Sequence, residues 1–103
     1  MVKEPRLSTQ TLKVLGALTS RPGDDLSGAE IAKRTKLASG TLYPILFRLE
    51  EAGWLSSRWE VEDPAALGRP RRRFYRITAE GVKSVQAVVR DLTPIAGSLA
   101  WSM

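Results

Sequence analysis

The sequence predicts a mainly α chain with one small β-hairpin, an α+β arrangement, and three observations lead there. Two early stretches repeat apolar residues every three or four positions, the period of a helix that buries one face, and a capping-box spacing between them opens a third, shorter helix. Two later stretches alternate apolar and polar residues, the period of a half-buried strand, and a turn-rich segment separates them. A last stretch returns to helical spacing. With 103 residues the chain has room for one core, since single domains usually need about 100–150 residues to bury enough apolar surface.

Ser8 or Thr9 can cap a first helix over about Thr9–Thr19, whose Leu12, Leu15, Ala17 and Leu18 recur at roughly helical spacing. Arg21-Pro22-Gly23-Asp24-Asp25 then reads as a turn, and Leu26 as a very short strand. Ser27-Gly28-Ala29-Glu30 has capping-box spacing, in which the Ser hydroxyl takes a free amide and the Glu reaches back, so a second helix starts at Ser27. It is short, and Lys33 and Arg34 favour its end near Thr35 because cations suit a helix C-terminus. Ser39 can cap a third helix over about Ser39–Ala52, with Leu42, Ile45, Leu46 and Leu49 as one stripe and Gly53 just past its end. Pro44 falls just beyond its first turn, which costs one hydrogen bond and predicts a slight bend.

Leu55, Ser57, Trp59 and Val61 share one face of a first strand, and Arg72–Ile77 forms a second. Between them Glu62-Asp63-Pro64-Ala65-Ala66-Leu67-Gly68-Arg69-Pro70 reads as an irregular hairpin loop. A two-stranded hairpin alone is marginal, so it must pack on the helices, with Trp54 and Trp59 expected in the core. Thr78 can cap a final helix in which Val82, Val85, Val89 and Leu92 are spaced like a heptad seam. Thr93-Pro94 predicts a kink there, or a new short helix carrying Ile95, Leu99 and Trp101.

Composition narrows the function classes. The 43% hydrophobic and 26% charged shares are ordinary for a soluble globular chain. No apolar run approaches the roughly 18 residues that span a bilayer, and the first residues lack a secretory pattern, so a cytoplasmic protein with no membrane partner is expected. Cysteine and histidine are both absent, which removes thiolate nucleophiles, disulfides, the usual general base and the commonest metal ligands. Glu50 and Glu51 read more simply as a solvated helix face than as catalytic carboxylates, so no enzyme, cofactor or metal is expected. The net charge of +5 is local: residues 54–78 carry six Arg against three Asp/Glu, while residues 79–103 carry two charges of each sign. A basic cluster around Arg69–Arg76 admits a polyanionic partner, although it also suits a merely solvated hairpin.

Helix, helix, turn, helix, hairpin is the order of a winged helix-turn-helix, whose helix after the turn enters the DNA major groove while the wing reaches flanking backbone. At the start of that helix, Ser39-Gly40-Thr41 would face phosphate, where free amides and the helix dipole suit an anion. Three separated motifs make the likeness specific: Leu26-Ser27-Gly28-Ala29-Glu30-Ile31-Ala32; Ser39-Gly40-Thr41-Leu42-Tyr43-Pro44-Ile45-Leu46 with Arg48-Leu49-Glu50 and Gly53; and Gly68-Arg69-Pro70-Arg71-Arg72. Over about Leu7–Val82 the chain resembles PadR-family regulators, departing at Ala29, where many members carry a bulky side chain.

That resemblance implies a dimeric winged-helix regulator, usually a repressor, that often releases double-stranded DNA on binding a small molecule. It places Ser39, Gly40, Thr41, Tyr43, Pro44 and Arg48 at the recognition helix, and Arg69, Arg71, Arg72 and Arg73 in the wing. Arg48 could equally pair with Glu51 or with Asp24 or Asp25. With no Asn in the third helix and Arg48 its only Arg, specificity would lean on the wing, thymine methyl groups and DNA shape. Val82, Val85, Val89, Leu92, Ile95 and Leu99 are candidates for a homodimer seam, with packing on the first helix as the alternative. Such a dimer predicts a pseudo-palindromic operator. Trp101 is the candidate contact for a small aromatic effector, or simply an anchor of the last helix. The expected organisation is a DNA-binding unit over residues 1–77 and a dimerisation helix over residues 78–103 within one compact domain. The rival is a winged-helix protein-protein interaction module that does not bind DNA.

Overall fold

The computed structural model describes Pro5 and residues 7–102, with side chains as far as Asp91. In chain order it forms α1 (Thr9–Thr19), β1 (Leu26–Ser27), α2 (Gly28–Thr35), α3 (Ser39–Glu51), β2 (Leu55–Trp59), α4 (Pro64–Leu67), β3 (Arg73–Ile77) and α5 (Ala79–Ser102). This is the mainly α, winged-helix arrangement that the sequence predicts. The hairpin gains a third strand: the antiparallel order is β1-β3-β2, with Tyr75 between Leu26 on one side and Ser57 on the other.

Local chemistry explains the element ends. Ser8 caps α1, its Oγ accepting from the Thr11 amide at 3.1 Å. Ser27 and Glu30 complete the capping box of α2, which ends at Lys36 in the left-handed region, φ 62°. Beyond α3, Gly53 takes φ 82°, and the amides of Gly53 and Trp54 close back on the carbonyls of Glu50 and Leu49. These two bonds form a Schellman motif, which a glycine at this position permits without strain. Val14, Leu15, Leu18, Ile31, Leu42, Leu46 and Leu49 are buried at the centre, and Leu26, Trp54, Leu55, Tyr75 and Ile77 cover it from the sheet side. Each leucine fully removed from water contributes about 2 kcal/mol, so the α3 stripe is what fixes that helix's orientation.

The joint between α3 and α5 is short and bonded. Thr78 Oγ1 donates to the Gly53 carbonyl at 2.7 Å, and the Thr78 amide donates to the Trp54 carbonyl at 2.9 Å. The Gly81 amide in turn donates to Thr78 Oγ1 at 3.0 Å. Val82 and Val85, half-buried, pack against the core.

Several expectations are corrected. Ala38, with extended backbone and no side-chain acceptor, occupies the N-cap of α3, so Ser39 lies inside the first turn and does not cap it. The loop between the strands contains the one-turn α4, because Asp63 caps it and Pro64 at its first position has no amide to lose; Gly68 at φ 67° ends it. Trp59 is not a core residue. It is 56% exposed, lining the open cleft between the wing, the start of α2 and Tyr43, and Val61 beyond it is exposed as well. No new helix begins at Pro94: α5 continues across it, since a proline removes the single bond to Arg90 while turns on both sides carry the helix on.

Candidate nucleic-acid interface

The buried stripe of α3 leaves its opposite face outward. Ser39, Gly40, Tyr43, Pro44, Phe47 and Arg48 are exposed there, and Thr41 is half-buried. Arg48 makes none of the ion pairs that the sequence allowed, since Asp24 pairs with Arg21 and Asp25 with Arg58 and Arg76. Tyr43 is 47% exposed but not free to wander. Its ring lies on the backbone of Gly28 so closely that a Cβ there would stand 2.5 Å from Tyr43 Oη.

Clefts flank α3 on both sides. One of about 490 Å³ runs between the start of α1 and α3, lined by Gln10, Gly40, Thr41, Pro44 and Arg48 among others. The other, about 450 Å³, lies between the start of α2, Tyr43 and the wing, where Ala29, Trp59, Arg71 and Arg72 line it. Tyr43, Arg71 and Arg72 therefore share one concave surface.

The wing's six arginines are not equivalent. Arg69 grips Glu60 with two guanidinium nitrogens, Nη2 to Oε2 at 3.1 Å, and the Arg72 amide donates to Glu60 Oε1 at 2.7 Å. Arg73 turns inward to α3: its Nη2 meets Glu50 Oε1 at 3.2 Å, its Nε donates to Ser57 Oγ at 2.9 Å, and its guanidinium lies 5.4 Å from the Trp59 ring centre. Ser57 Oγ donates to the other Glu50 oxygen, which closes a small network between helix and wing. Asp25 takes both Arg58 and Arg76, at 2.8 and 2.9 Å. Against the cost of desolvation, hydrogen bonds from Arg58 and the charge of Arg76 hold the Asp25 carboxyl below its usual range. Arg71 Nε meets only the Glu62 carbonyl, at 2.9 Å, and the Arg72 guanidinium has no ion pair among the described residues. Four arginines thus have a carboxylate partner within the protein, Arg58 and Arg76 sharing one, whereas Arg71 and Arg72 have none among the described residues.

Glu60 makes this arrangement testable by pH. The Arg69 hydrogen bonds and the Arg72 amide draw its carboxyl from 4.5 down to about 2. Because the fold favours the ionised form, the tether contributes fully above about pH 4.5 and is lost as pH falls toward 2. An NMR titration should place the Glu60 carboxyl midpoint well below 4, with the Arg69 side-chain signal moving alongside it; a midpoint near 4.5 would show that the wing base is untied.

Sequence reasoning grouped Arg69 and Arg73 with Arg71 and Arg72, because their carboxylate partners lie 9 and 23 residues away and leave no local pattern. It also passed over Phe47, whose signal was available: it stands one turn after Tyr43 and outside the Leu42/Ile45/Leu46/Leu49 stripe. On α5, Val89 is exposed, and with Val82 and Val85 it lines a cleft of about 690 Å³ against Thr19 and Pro22. The side chains of Leu92, Ile95, Leu99 and Trp101 lie outside the described residues. Among the described residues no group of acidic side chains could hold a metal ion, and no helix is long and apolar enough to cross a membrane.

Comparison with known proteins agrees with this fold. A PadR-family transcription regulator from Clostridium difficile R20291 superimposes with a TM-score of 0.73 at 23% identity, covering 91% of this chain and 97% of that one. A PadR-family regulator from Eggerthella lenta gives 0.68 at 24% identity, covering 84% and 77%. The DNA complex of Staphylococcus aureus MepR gives 0.70 at 20% identity, covering 93% and 73%. A MepR variant gives 0.75, and this chain spans 66% of that chain's length. No curated protein sequence matches significantly. The profile of the transcriptional regulator PadR-like family matches residues 14–87, most of the chain and every element from the second turn of α1 to the middle of α5. The chain belongs to the PadR-like family of transcriptional regulators.

Proposed function

We propose that the protein is a dimeric repressor that binds a pseudo-palindromic site on double-stranded DNA. The observation that carries this reading is the placement of charge: four wing arginines have a carboxylate partner within the protein, and the two that have none, Arg71 and Arg72, share a cleft with Tyr43 of α3. In this reading α3 enters the major groove, with Ser39, Gly40, Thr41, Tyr43, Pro44 and Arg48 on its DNA side. Arg71 and Arg72 meet flanking phosphates, while Arg69 and Arg73 hold the wing in shape. Residues 1–77 form the DNA-binding unit and residues 78–103 the dimerisation helix, pairing through the seam of Val82, Val85, Val89, Leu92, Ile95 and Leu99. The cleft that Val82, Val85 and Val89 of that seam form with Thr19 and Pro22, with Trp101 as a further candidate contact, suits a small apolar or aromatic effector that would release the DNA. The protein acts in the cytoplasm.

One observation favours the rival reading. Trp59 and Val61 are both exposed on the hairpin, as they would be in a protein-binding module. In-vitro selection of random duplex DNA by the purified protein separates the two. The expected result is one inverted repeat, its half-site centres about 34–36 Å apart, retained less well as salt rises. Failure to enrich any motif, with no salt-sensitive retention at low ionic strength, would overturn DNA binding in favour of a protein partner.

A further inference from the structure

We infer that Phe47 is a base-reading residue, its ring meeting the C5-methyl group of a thymine in the major groove. The inference rests on the DNA-binding reading above and adds the chemistry by which α3 discriminates sequence.

The argument starts from what the core dictates. Leu42, Ile45, Leu46 and Leu49 are buried and fix how α3 is rotated about its axis. At 3.6 residues per turn, Phe47 falls within about 30° of the direction opposite their mean, beside Gly40, Pro44 and Glu51. The ring is 63% exposed, and among the described residues no cation lies over it. A large apolar side chain at the outermost line of a helix does nothing for this fold.

Its neighbours then decide what the ridge can recognise. Gly40 and Pro44 offer no side-chain donor or acceptor, and an added Cβ on Gly40 would meet nothing within 4 Å, so the backbone there can approach a ligand closely. Glu51 is acceptor-only when ionised. The centre of the face therefore lacks the bidentate donors that read guanine or adenine. The apolar feature that base edges present in the major groove is the thymine methyl group, and Phe is a side chain suited to it. Charge selects DNA over an apolar protein surface as the occupant: Arg48 on the same helix, and Arg71 and Arg72 across the cleft from Tyr43, have no ion pair among the described residues.

The test uses the intact protein and the duplex that it selects. Replacing thymines one at a time by deoxyuridine removes only the methyl group. At one position in each half-site this should weaken wild-type binding about fourfold, or on the order of fifteenfold when both half-sites are changed, as expected for one buried methyl each. Phe47→Ala should bind thymine and uridine duplexes equally while melting at the wild-type temperature, since the ring is outside the core. Should Phe47→Ala bind too weakly to measure, Phe47→Leu keeps a smaller apolar tip and should show reduced discrimination. Equal wild-type affinity for thymine and uridine at every position overturns the inference while leaving DNA binding intact, as does full discrimination by either variant. Wild-type protein that binds no selected duplex removes the DNA-binding reading itself.

Discussion

Gly81→Ala should lower the melting temperature by roughly 5–20 °C, the consequence of about 1–3 kcal/mol of overpacking in a domain of this size. A Cβ at Gly81 would stand 2.3 Å from the Trp54 carbonyl oxygen and 2.8 Å from Ile77 Cγ1. The oxygen cannot simply retreat, because it accepts the Thr78 amide that starts α5. Both obstacles belong to the core or its backbone, so relief requires lifting α5 away from the sheet. Gly16→Ala is the internal control. Gly16 lies in α1 with nothing within 4 Å of its added Cβ, so the same substitution there should gain about 0.5–1 kcal/mol from reduced backbone freedom in the unfolded chain. Thermal melts of the two variants give opposite shifts. A Gly81→Ala protein as stable as the wild type would show that the α5 joint yields.

Arg71→Ala combined with Arg72→Ala should weaken binding to all duplex sequences by roughly one to two orders of magnitude near 0.1 M salt, and make the salt dependence shallower. Each phosphate contact contributes about 0.9 to the slope of log affinity against log salt, so four contacts in a dimer remove about 3–4. Arg73→Ala should behave differently. Arg73 is committed to Glu50 and Ser57, so its loss should reduce affinity through wing position and leave the slope unchanged. Titrations at four or five salt concentrations distinguish the two. Equal slopes for wild type and the Arg71/Arg72 double variant would remove these arginines from the phosphate contacts, and a reduced slope for Arg73→Ala would show that it leaves Glu50 on binding.

How far the molecule could be read from its sequence follows the distance between interacting groups. The Ser27/Glu30 capping box, the turn at Gly53 and the leucine stripe of α3 each have their partners within one or two helical turns, so spacing alone reveals them. The short strand at Leu26 was expected beside the turn that precedes it, although its pairing with Tyr75 was not. The cap of α3 was misjudged because Ser39 has the right chemistry one position too late, and Ala38 does the work with backbone alone. Trp59 was misjudged because alternation shows which face a residue occupies without showing that the space between it and the facing helices stays open as a cleft. Charge was the least legible. Asp25 reaches Arg58 and Arg76 across 33 and 51 residues, and Glu50 reaches Arg73 across 23, so six arginines that look alike in the sequence divide in the fold into four with a carboxylate partner and two without.

The bonded joint at Thr78 has a mechanical consequence. Its hydroxyl and amide hold Gly53 and Trp54, the residues that also close the end of α3, so the two helices meet without a flexible spacer. A helix of 24 residues is about 36 Å long, and a tilt of only about 5° at its root displaces its far end by about 3 Å. The relation runs equally in reverse. A displacement of about 3 Å at that end corresponds to only about 5° at the root, where Thr78 is bonded to the residues that close α3.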